Sequence, residues 1–131
     1  AILTRAKMGE ARLIRANFEG ASAQAVDFSR VRASDANFHD ANLGGSWFID
    51  AQMARVDLSG ADLLQAILVN AVMSNANLSA ATFWGADLFG VDLRGANLAG
   101  ADFTRSRLQG ALMTNTNREG AIFTEVFGLP P

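Results

Sequence analysis

The sequence predicts a solenoid of stacked coils, and three observations lead to that prediction. A five-residue unit repeats without a change of frame over the whole chain of 131 residues. Its first position, from Ala1 to Val126, holds Ala, Val, Ser or Thr in all twenty-six units. Its third position, from Leu3 to Gly128, holds Leu, Phe or Met in twenty-two of the twenty-six. Neither a helix nor a strand has this period, so the chain must be read as a repeat architecture.

Several units come close to one consensus: Ala61-Asp62-Leu63, Ala86-Asp87-Leu88 and Ala96-Asn97-Leu98-Ala99-Gly100. They resemble the signature A(D/N)LxX of the pentapeptide-repeat family, and the match covers essentially the whole chain. The resemblance implies an all-β fold, a right-handed quadrilateral parallel β-helix of about 6.5 coils with four pentapeptides, or twenty residues, in each coil. It also implies that the small residue and the Leu or Phe point inward while the other three face solvent.

A second regularity supports the twenty-residue coil independently of the family. Every twenty residues the position before the central apolar residue is Asn or Asp, and this column comprises Asn17, Asn37, Asp57, Asn77, Asn97 and Asn117. The other three sides together hold Asn or Asp at this position in only six of twenty units. We interpret the column as a structural ladder, because stacked amides can hydrogen-bond from coil to coil.

The inward positions fill a common axis, since stacked coils lie about 4.8 Å apart and each level must accept a similar volume. Two small exceptions, Ala23 and Ala33, lie on opposite sides of one coil whose other inward residues are Phe28 and Phe38. Corners need residues that tolerate unusual φ, and the fifth position supplies Gly nine times and Asn and Asp three times each. We expect Leu88 and its counterparts in neighbouring units to be fully buried.

The chain is predicted to form a single β-helix domain over residues 1–131, with residues 115–131 as a distorted last coil that caps the end. Arg118 occupies an inward position there, and both prolines follow it at the end of the chain. At the other end, residues 5–16 contain enough helix formers that a short capping helix and a first coil both remain open.

Composition excludes most chemical functions. The net charge is −2, from eleven basic and thirteen acidic residues, so no strong field recruits nucleic acid directly. There is no Cys and one His, His39, which faces outward on a flat wall beside Asp40. Such a wall lacks the converging groups of a catalytic or metal site, so we expect a non-enzymatic protein without cofactor, metal or catalytic residues.

The compartment stays open at this level. No apolar run approaches the roughly twenty residues that span a bilayer, so no membrane span is predicted. The chain begins with Ala1 and not Met. This fits a trimmed cytoplasmic protein, or one that lost a targeting peptide on its way to a thylakoid lumen or periplasm.

Apolar residues interrupt the polar pattern on the outside of the middle coils. We call them the apolar patch: Trp47, Ile49, Leu64, Ile67, Val69, Trp84 and Phe89. Exposed aromatic clusters mark interfaces, so the patch is a candidate site for a homodimer, a protein partner or lipid headgroups. The alternative is that these side chains lie flat and are merely tolerated, because folded surfaces always keep some apolar area.

Three functional interpretations follow. The favoured one is a rigid interaction module that binds a partner or a second copy through the apolar patch. The second, from the family resemblance alone, is a DNA-mimicking inhibitor of topoisomerases such as gyrase, like the quinolone-resistance members; the absence of a continuous acidic column ranks it low. The third, an enzyme, has no support in the residues. The small Ala-rich chain looks most like the cyanobacterial and thylakoid-lumen members, often without assigned function.

Overall fold

The computed structural model describes residues 2–131, so Ala1, which begins the first predicted unit, lies outside the described residues. Up to Phe127 each unit contributes one β-bridge residue at its second position and, up to Glu125, a turn at its fourth and fifth. Within residues 2–131 there is accordingly no helix and no strand of several residues, and no helix that could cross a bilayer. Residues 5–16 form bridges and turns, so the coil alternative holds there and the helix does not.

Parallel bridges join residues that are twenty positions apart, from Ile2 with Ser22 at one end to Arg107 with Phe127 at the other. A coil of the solenoid therefore holds twenty residues and four bridge positions, in agreement with the period of the Asn column. We number the coils along the chain: coil 2 is 21–40, coil 3 is 41–60, coil 4 is 61–80, coil 5 is 81–100 and coil 6 is 101–120.

Three kinds of backbone hydrogen bond tie each interior coil to its neighbours. The second residue of a unit donates its N–H to the coil before, as Asp87 does to Ala66 at 2.9 Å. The third and fifth residues donate to the coil after, as Leu68 does to Asp87 at 2.7 Å and Asn70 to Phe89 at 2.9 Å. This pairing satisfies the buried backbone and fixes which side chains lie above one another.

A tight turn closes each unit. The N–H of the following residue donates to the central residue, as Ala66 does to Leu63 at 3.0 Å. From Arg5 to Glu125 the fifth residue has positive φ, between 54° at Ala25 and 73° at Gly95, which is the type II pattern. Sixteen residues with positive φ are not glycine, so the fold accepts repeated local strain to keep its period.

The inward residues form one continuous core. Leu63, Leu88, Leu93 and Leu98 are each 0% exposed, which confirms their predicted burial. The small first-position residues are buried with them, as Ala61 is at 1%. The walls approach closely at the small residues, and the large residues fill the axis. This explains why small and large residues alternate so strictly at the two inward positions.

Aromatic rings fill the space that Ala23 and Ala33 leave. Phe28 and Phe38 meet edge to face inside coil 2 with ring centroids 5.7 Å apart. Phe28 also stacks on Phe48 of coil 3 at 4.9 Å. Both alanines are 0% exposed, so the large and small residues of this coil compensate one another as predicted.

Regular geometry continues further toward the end of the chain than the sequence predicts. A distorted coil was expected from residue 115, but bridges persist to Phe127 and the chain leaves the ladder at Gly128. Phe123 keeps the core in register by stacking on Phe103 at 5.3 Å. Phe127 and Leu129 stay 63% and 42% exposed and do not close over the core.

Arg118 is accommodated because it lies near this end. Its side chain is half-buried, and its Nε donates to Thr116 Oγ1 at 3.0 Å. Its Nη1 reaches the Pro130 carbonyl oxygen at 3.5 Å, and its guanidinium lies 6.0 Å from the Phe123 ring centroid. An inward cation is thus tolerated where partners and solvent replace the next layer of the core.

Candidate interaction surface

The apolar patch occupies one side and an adjoining corner of coils 3 to 5. A bridge places Ile67 directly over Trp47. The ladder bonds from Asp50 to the Val69 carbonyl, at 3.0 Å, and from Asn70 to the Phe89 carbonyl, at 2.9 Å, align the neighbouring column. The seven residues predicted from the sequence therefore lie on three successive coils, five of them on one side and Leu64 and Trp84 at its corner.

The patch is accessible, though unevenly. Trp47 is 44% exposed, Leu64 42% and Phe89 38%. The remaining members are half-buried against neighbours on the wall: Ile49, Ile67, Val69 and Trp84. The patch residues lie on consecutive coils and so make a continuous apolar surface. Ile14 is also exposed, but it stands alone on another side and makes no such surface.

Two arginines of coil 6 border the patch at one margin. The guanidinium carbon of Arg105 lies 5.4 Å from the Trp84 ring centroid, and that of Arg107 lies 4.5 Å from the Phe89 ring centroid. Cation–π contacts at exposed sites contribute about 0.5–1 kcal/mol each. Sequence reasoning missed both contacts, although each arginine stands about one coil after its ring.

Further polar contacts hold these arginines in place. Arg105 Nε lies 2.7 Å from Glu125 Oε2. Arg107 Nε donates to Gln109 Oε1 at 2.8 Å, and its Nη1 lies 3.5 Å from Asp87 Oδ2. The Asp87 to Arg107 contact is a surface ion pair, which contributes about 0–1 kcal/mol. This margin therefore holds two ordered arginines, each beside a carboxylate.

The opposite margin, on coil 2, carries the acidic residue Asp27. In its column Asp27 lies between Lys7, one coil before, and Trp47, one coil after. Its Oδ1 accepts the Ser29 N–H at 2.9 Å, and no ion pair within the described part of the chain involves it. Between the margins, Gly44 and Gly45 leave the corner beside Trp47 without side chains.

The Asn column has a mainly local role. The side-chain oxygen of Asn77 accepts the Ser79 N–H at 3.1 Å, and the other members make the same contact two residues on. The coil-to-coil amide bond expected from stacking is found, among the described residues, between Asn117 and Asn97 at 3.2 Å. The oxygens of this column therefore mainly serve their own turns, a local side-chain to backbone bond that competes with pairing between coils.

Potential catalytic groups do not converge on this surface. His39 lies outside the patch, with Nε2 3.1 Å from Asp40 Oδ2 and Nδ1 2.8 Å from Ser59 Oγ. Over residues 2–131 no cluster of three or more His, Cys, Asp or Glu side chains has the geometry of a metal site. A cavity of about 510 Å³ near Met113, Arg118 and Pro130 lies at the end of the solenoid, away from the patch.

Two ion pairs elsewhere perturb carboxylates. Arg55 binds both oxygens of Asp35, at 2.8 and 2.9 Å, and this hydrogen bonding lowers the pKa of Asp35. Arg94 binds both oxygens of Asp92, at 3.0 and 2.8 Å, and lowers the pKa of Asp92 in the same way. Both pairs are structural features of the wall next to the patch.

Comparison with known proteins assigns the repeat. Two sequence profiles, both described as pentapeptide repeats, match residues 3–47 and residues 36–75, 57–95 and 92–127. No curated protein matches the chain.

Several solved structures are similar. A pentapeptide-repeat protein from the Arabidopsis thaliana thylakoid lumen is 29% identical, with a TM-score of 0.46 over 77% of this chain. The chain spans only 63% of that protein's length. HetL, from Nostoc sp. strain PCC 7120, involved in heterocyst differentiation regulation, is 21% identical with a TM-score of 0.32, over 96% and 82% of the two chains. The plasmid-mediated fluoroquinolone resistance protein QnrB1 is 17% identical with a TM-score of 0.36, over 96% and 88%.

Proposed function

The chain belongs to the pentapeptide-repeat family, and from this premise we propose that it is a non-enzymatic interaction module. In this proposal residues 1–131 form one right-handed, four-sided β-helix of about 6.5 coils, a rigid rod that presents the apolar patch to a protein partner or a second copy. The single observation that carries it is the run of Trp47, Leu64 and Phe89, each at least 38% exposed, on successive coils.

Rigidity supports this role. The patch lies on a wall whose backbone is paired with both neighbouring coils: Ile67 donates to Ser46 of coil 3 at 2.9 Å, and Leu68 donates to Asp87 of coil 5 at 2.7 Å. A surface built this way loses little conformational freedom when it binds, which lowers the cost of association. Burying a large apolar side chain contributes about 1.5–3 kcal/mol before that cost.

The test compares two variants. Trp47→Ser with Trp84→Ser removes the aromatic anchors without touching the core, so the far-UV circular dichroism spectrum should not change. Ile14→Ser is the matched control, because Ile14 is 52% exposed but stands alone on another side. We expect self-association and partner capture from the native source to be lost in the double variant and kept in the control. Equal behaviour of the two variants would exclude the patch as the binding surface.

The DNA-mimic alternative finds little support. A mimic of duplex DNA needs negative charge in a continuous array. Here acidic groups alternate with arginine partners, as Glu10 with Arg30 at 3.1 Å and Glu125 with Arg105 at 2.7 Å. We expect no inhibition of purified gyrase in a supercoiling assay, and inhibition at sub-micromolar protein would reverse this ranking.

A further inference from the structure

The apolar patch is centred on coil 4. When the surface is rotated by 180° so that the order of the coils is reversed, the charges and sizes of the surrounding residues are complementary to those of the original surface. We propose that its occupant is a second copy of this chain: two solenoids pack side by side and antiparallel about a twofold axis at coil 4. This proposal rests on the proposed function and names the partner. A twofold axis of this kind places each column of one copy against the same column of the other in reverse order.

Charge is complementary in this arrangement. One column reads Asp27, Trp47, Ile67, Asp87 and Arg107, one residue per coil. Reversed about Ile67, it sets Asp27 against Arg107 of the second copy, and the symmetry makes this pair twice. The same reversal sets Trp47, whose indole N–H is a donor, against the Asp87 carboxylate, which is an acceptor.

Size is complementary as well. The corner column reads Gly44, Leu64 and Trp84 on coils 3 to 5. Reversal about Leu64 places the bulkiest side chain of the patch, Trp84, against the position without a side chain, Gly44. In the third column Ile49 faces Phe89 of the second copy, so large apolar groups meet there.

A parallel pairing of the two solenoids would bring like charges to the same level. With both solenoids pointing the same way, each coil faces its own equivalent. Arg105 and Arg107 then stand at the level of the same two arginines, and Asp27 stands at the level of Asp27. Like charges across an interface cost several kcal/mol. The antiparallel arrangement therefore is the one that the charge pattern favours.

The groups that would pair are available. Arg107 has a 48% exposed side chain; its Nε binds Gln109 and its Nη1 contacts Asp87 at 3.5 Å, while its Nη2 makes no hydrogen bond within the described residues. Asp27 uses Oδ1 for the Ser29 N–H and forms no ion pair among the described residues, although Lys7 lies one coil before it in the same column. An arginine at this column position is compatible with the fold, since Arg12, Arg32 and Arg107 occupy equivalent sites.

The size of the surface predicts a reversible dimer. About two fifths of Trp47 and Phe89 is exposed, which corresponds to very roughly 100 Å² for each ring. From coil 2 to coil 6 the interface extends about 20 Å along the axis. It therefore lies at or below the lower end of specific interfaces, where complexes dissociate on dilution.

Sedimentation velocity over a concentration series, with circular dichroism to confirm folding, tests the arrangement. We expect wild type to dimerise reversibly. D27R and R107D should each weaken the dimer at least about tenfold, and the D27R/R107D double variant should restore it. D27N removes the charge but keeps the acceptor for Ser29, so it separates charge from turn stability. E19R on the opposite side makes the same charge change as D27R and should leave the dimer intact.

Each contrary result has a distinct meaning. A wild type that stays monomeric at all concentrations overturns the dimer, yet the proposed interaction function survives if Trp47 and Trp84 are still required to capture a partner. A dimer that neither single reversal weakens, or that the double reversal fails to restore, overturns the antiparallel geometry. A dimer that E19R weakens as much as D27R does shows a general charge effect and also overturns it.

Discussion

The hydroxyl group of Ser46 accepts a hydrogen bond from the backbone N–H of Val26, one coil earlier, at 3.1 Å. The same hydroxyl donates to the Ala23 carbonyl at 2.7 Å. In most units the corresponding N–H donates directly to that carbonyl, so Ser46 is inserted into the turn of the coil below. Ser106 stands in the same column, yet its buried Oγ has no hydrogen-bond partner within residues 2–131, and the turn below it closes directly from Ala86 to Phe83 at 3.0 Å.

These two serines predict opposite effects of the same mutation. Ser46→Ala leaves the Val26 N–H and the Ala23 carbonyl buried without their bridge, so the free energy of unfolding should fall by about 1–3 kcal/mol. Ser106→Ala removes an unsatisfied hydroxyl and should leave stability unchanged or raise it by up to about 1 kcal/mol. Urea denaturation of both variants measures the difference. Equal destabilisation would show that the bridge contributes nothing.

The sequence alone indicates which positions face inward but not how individual side chains are satisfied. Leu88 and Phe38 follow from the five-residue period, because volume on a shared axis dictates them. The bridge made by Ser46 does not, since Ser106 occupies an equivalent position and behaves differently. Only the local closure of the turn below distinguishes the two serines.

The candidate surface, too, is predictable from the sequence only in part. The seven apolar positions of the patch follow from the columns, because the twenty-residue period fixes which residues stack. The cation–π contacts of Arg105 and Arg107 depend on how long side chains fold over a neighbouring coil, which the period does not specify. Likewise the Asn column was correctly placed, but the competition between the turn N–H and the next amide decides its hydrogen bonds.

A matched pair of leucines tests the core. Leu88 is 0% exposed, whereas Leu64 is 42% exposed on the patch. Leu88→Ala should lower the free energy of unfolding by about 2–5 kcal/mol, because a ladder of fixed spacing cannot collapse around the void. Leu64→Ala should cost less than about 1 kcal/mol if the patch is free of a partner. Thermal or chemical denaturation of dilute protein gives both values, and a small loss at Leu88 would contradict a close-packed axis.

Backbone strain at the turns predicts that a substitution by glycine there raises the stability of the fold. Ala80 has a φ of 57°, and Gly100 follows one coil later in the same column with a φ of 68°. Ala80→Gly should raise the free energy of unfolding by about 0.5–1 kcal/mol, because relief of the left-handed conformation exceeds the added freedom of the unfolded chain.

The reverse substitution is the control. A Cβ at Gly100 would meet nothing nearer than the Ala80 nitrogen at 3.9 Å, so Gly100→Ala adds strain without a clash. It should lower the free energy of unfolding by a similar amount. Two shifts of the same sign in urea titrations would show that packing and not φ decides at this corner.

Acid should destabilise the solenoid through the two carboxylates that arginine holds on both oxygens. Arg55 lowers the pKa of Asp35 and Arg94 lowers the pKa of Asp92. A lowered folded-state pKa means that the unfolded chain binds the proton more readily, so each pair stabilises the fold above the ordinary Asp pKa of about 4. That contribution disappears as pH falls from about 4 through the lowered folded-state value.

Asp35→Asn and Asp92→Asn should therefore lower the urea midpoint at pH 7 and converge with wild type toward pH 2. Asp50→Asn is the control at pH 7, because it removes a carboxylate that has no arginine partner in the described residues and should leave the urea midpoint close to that of wild type. A constant gap between wild type and the Asp35 or Asp92 variant across the whole titration would mean that the ion pair is not what the mutation removes.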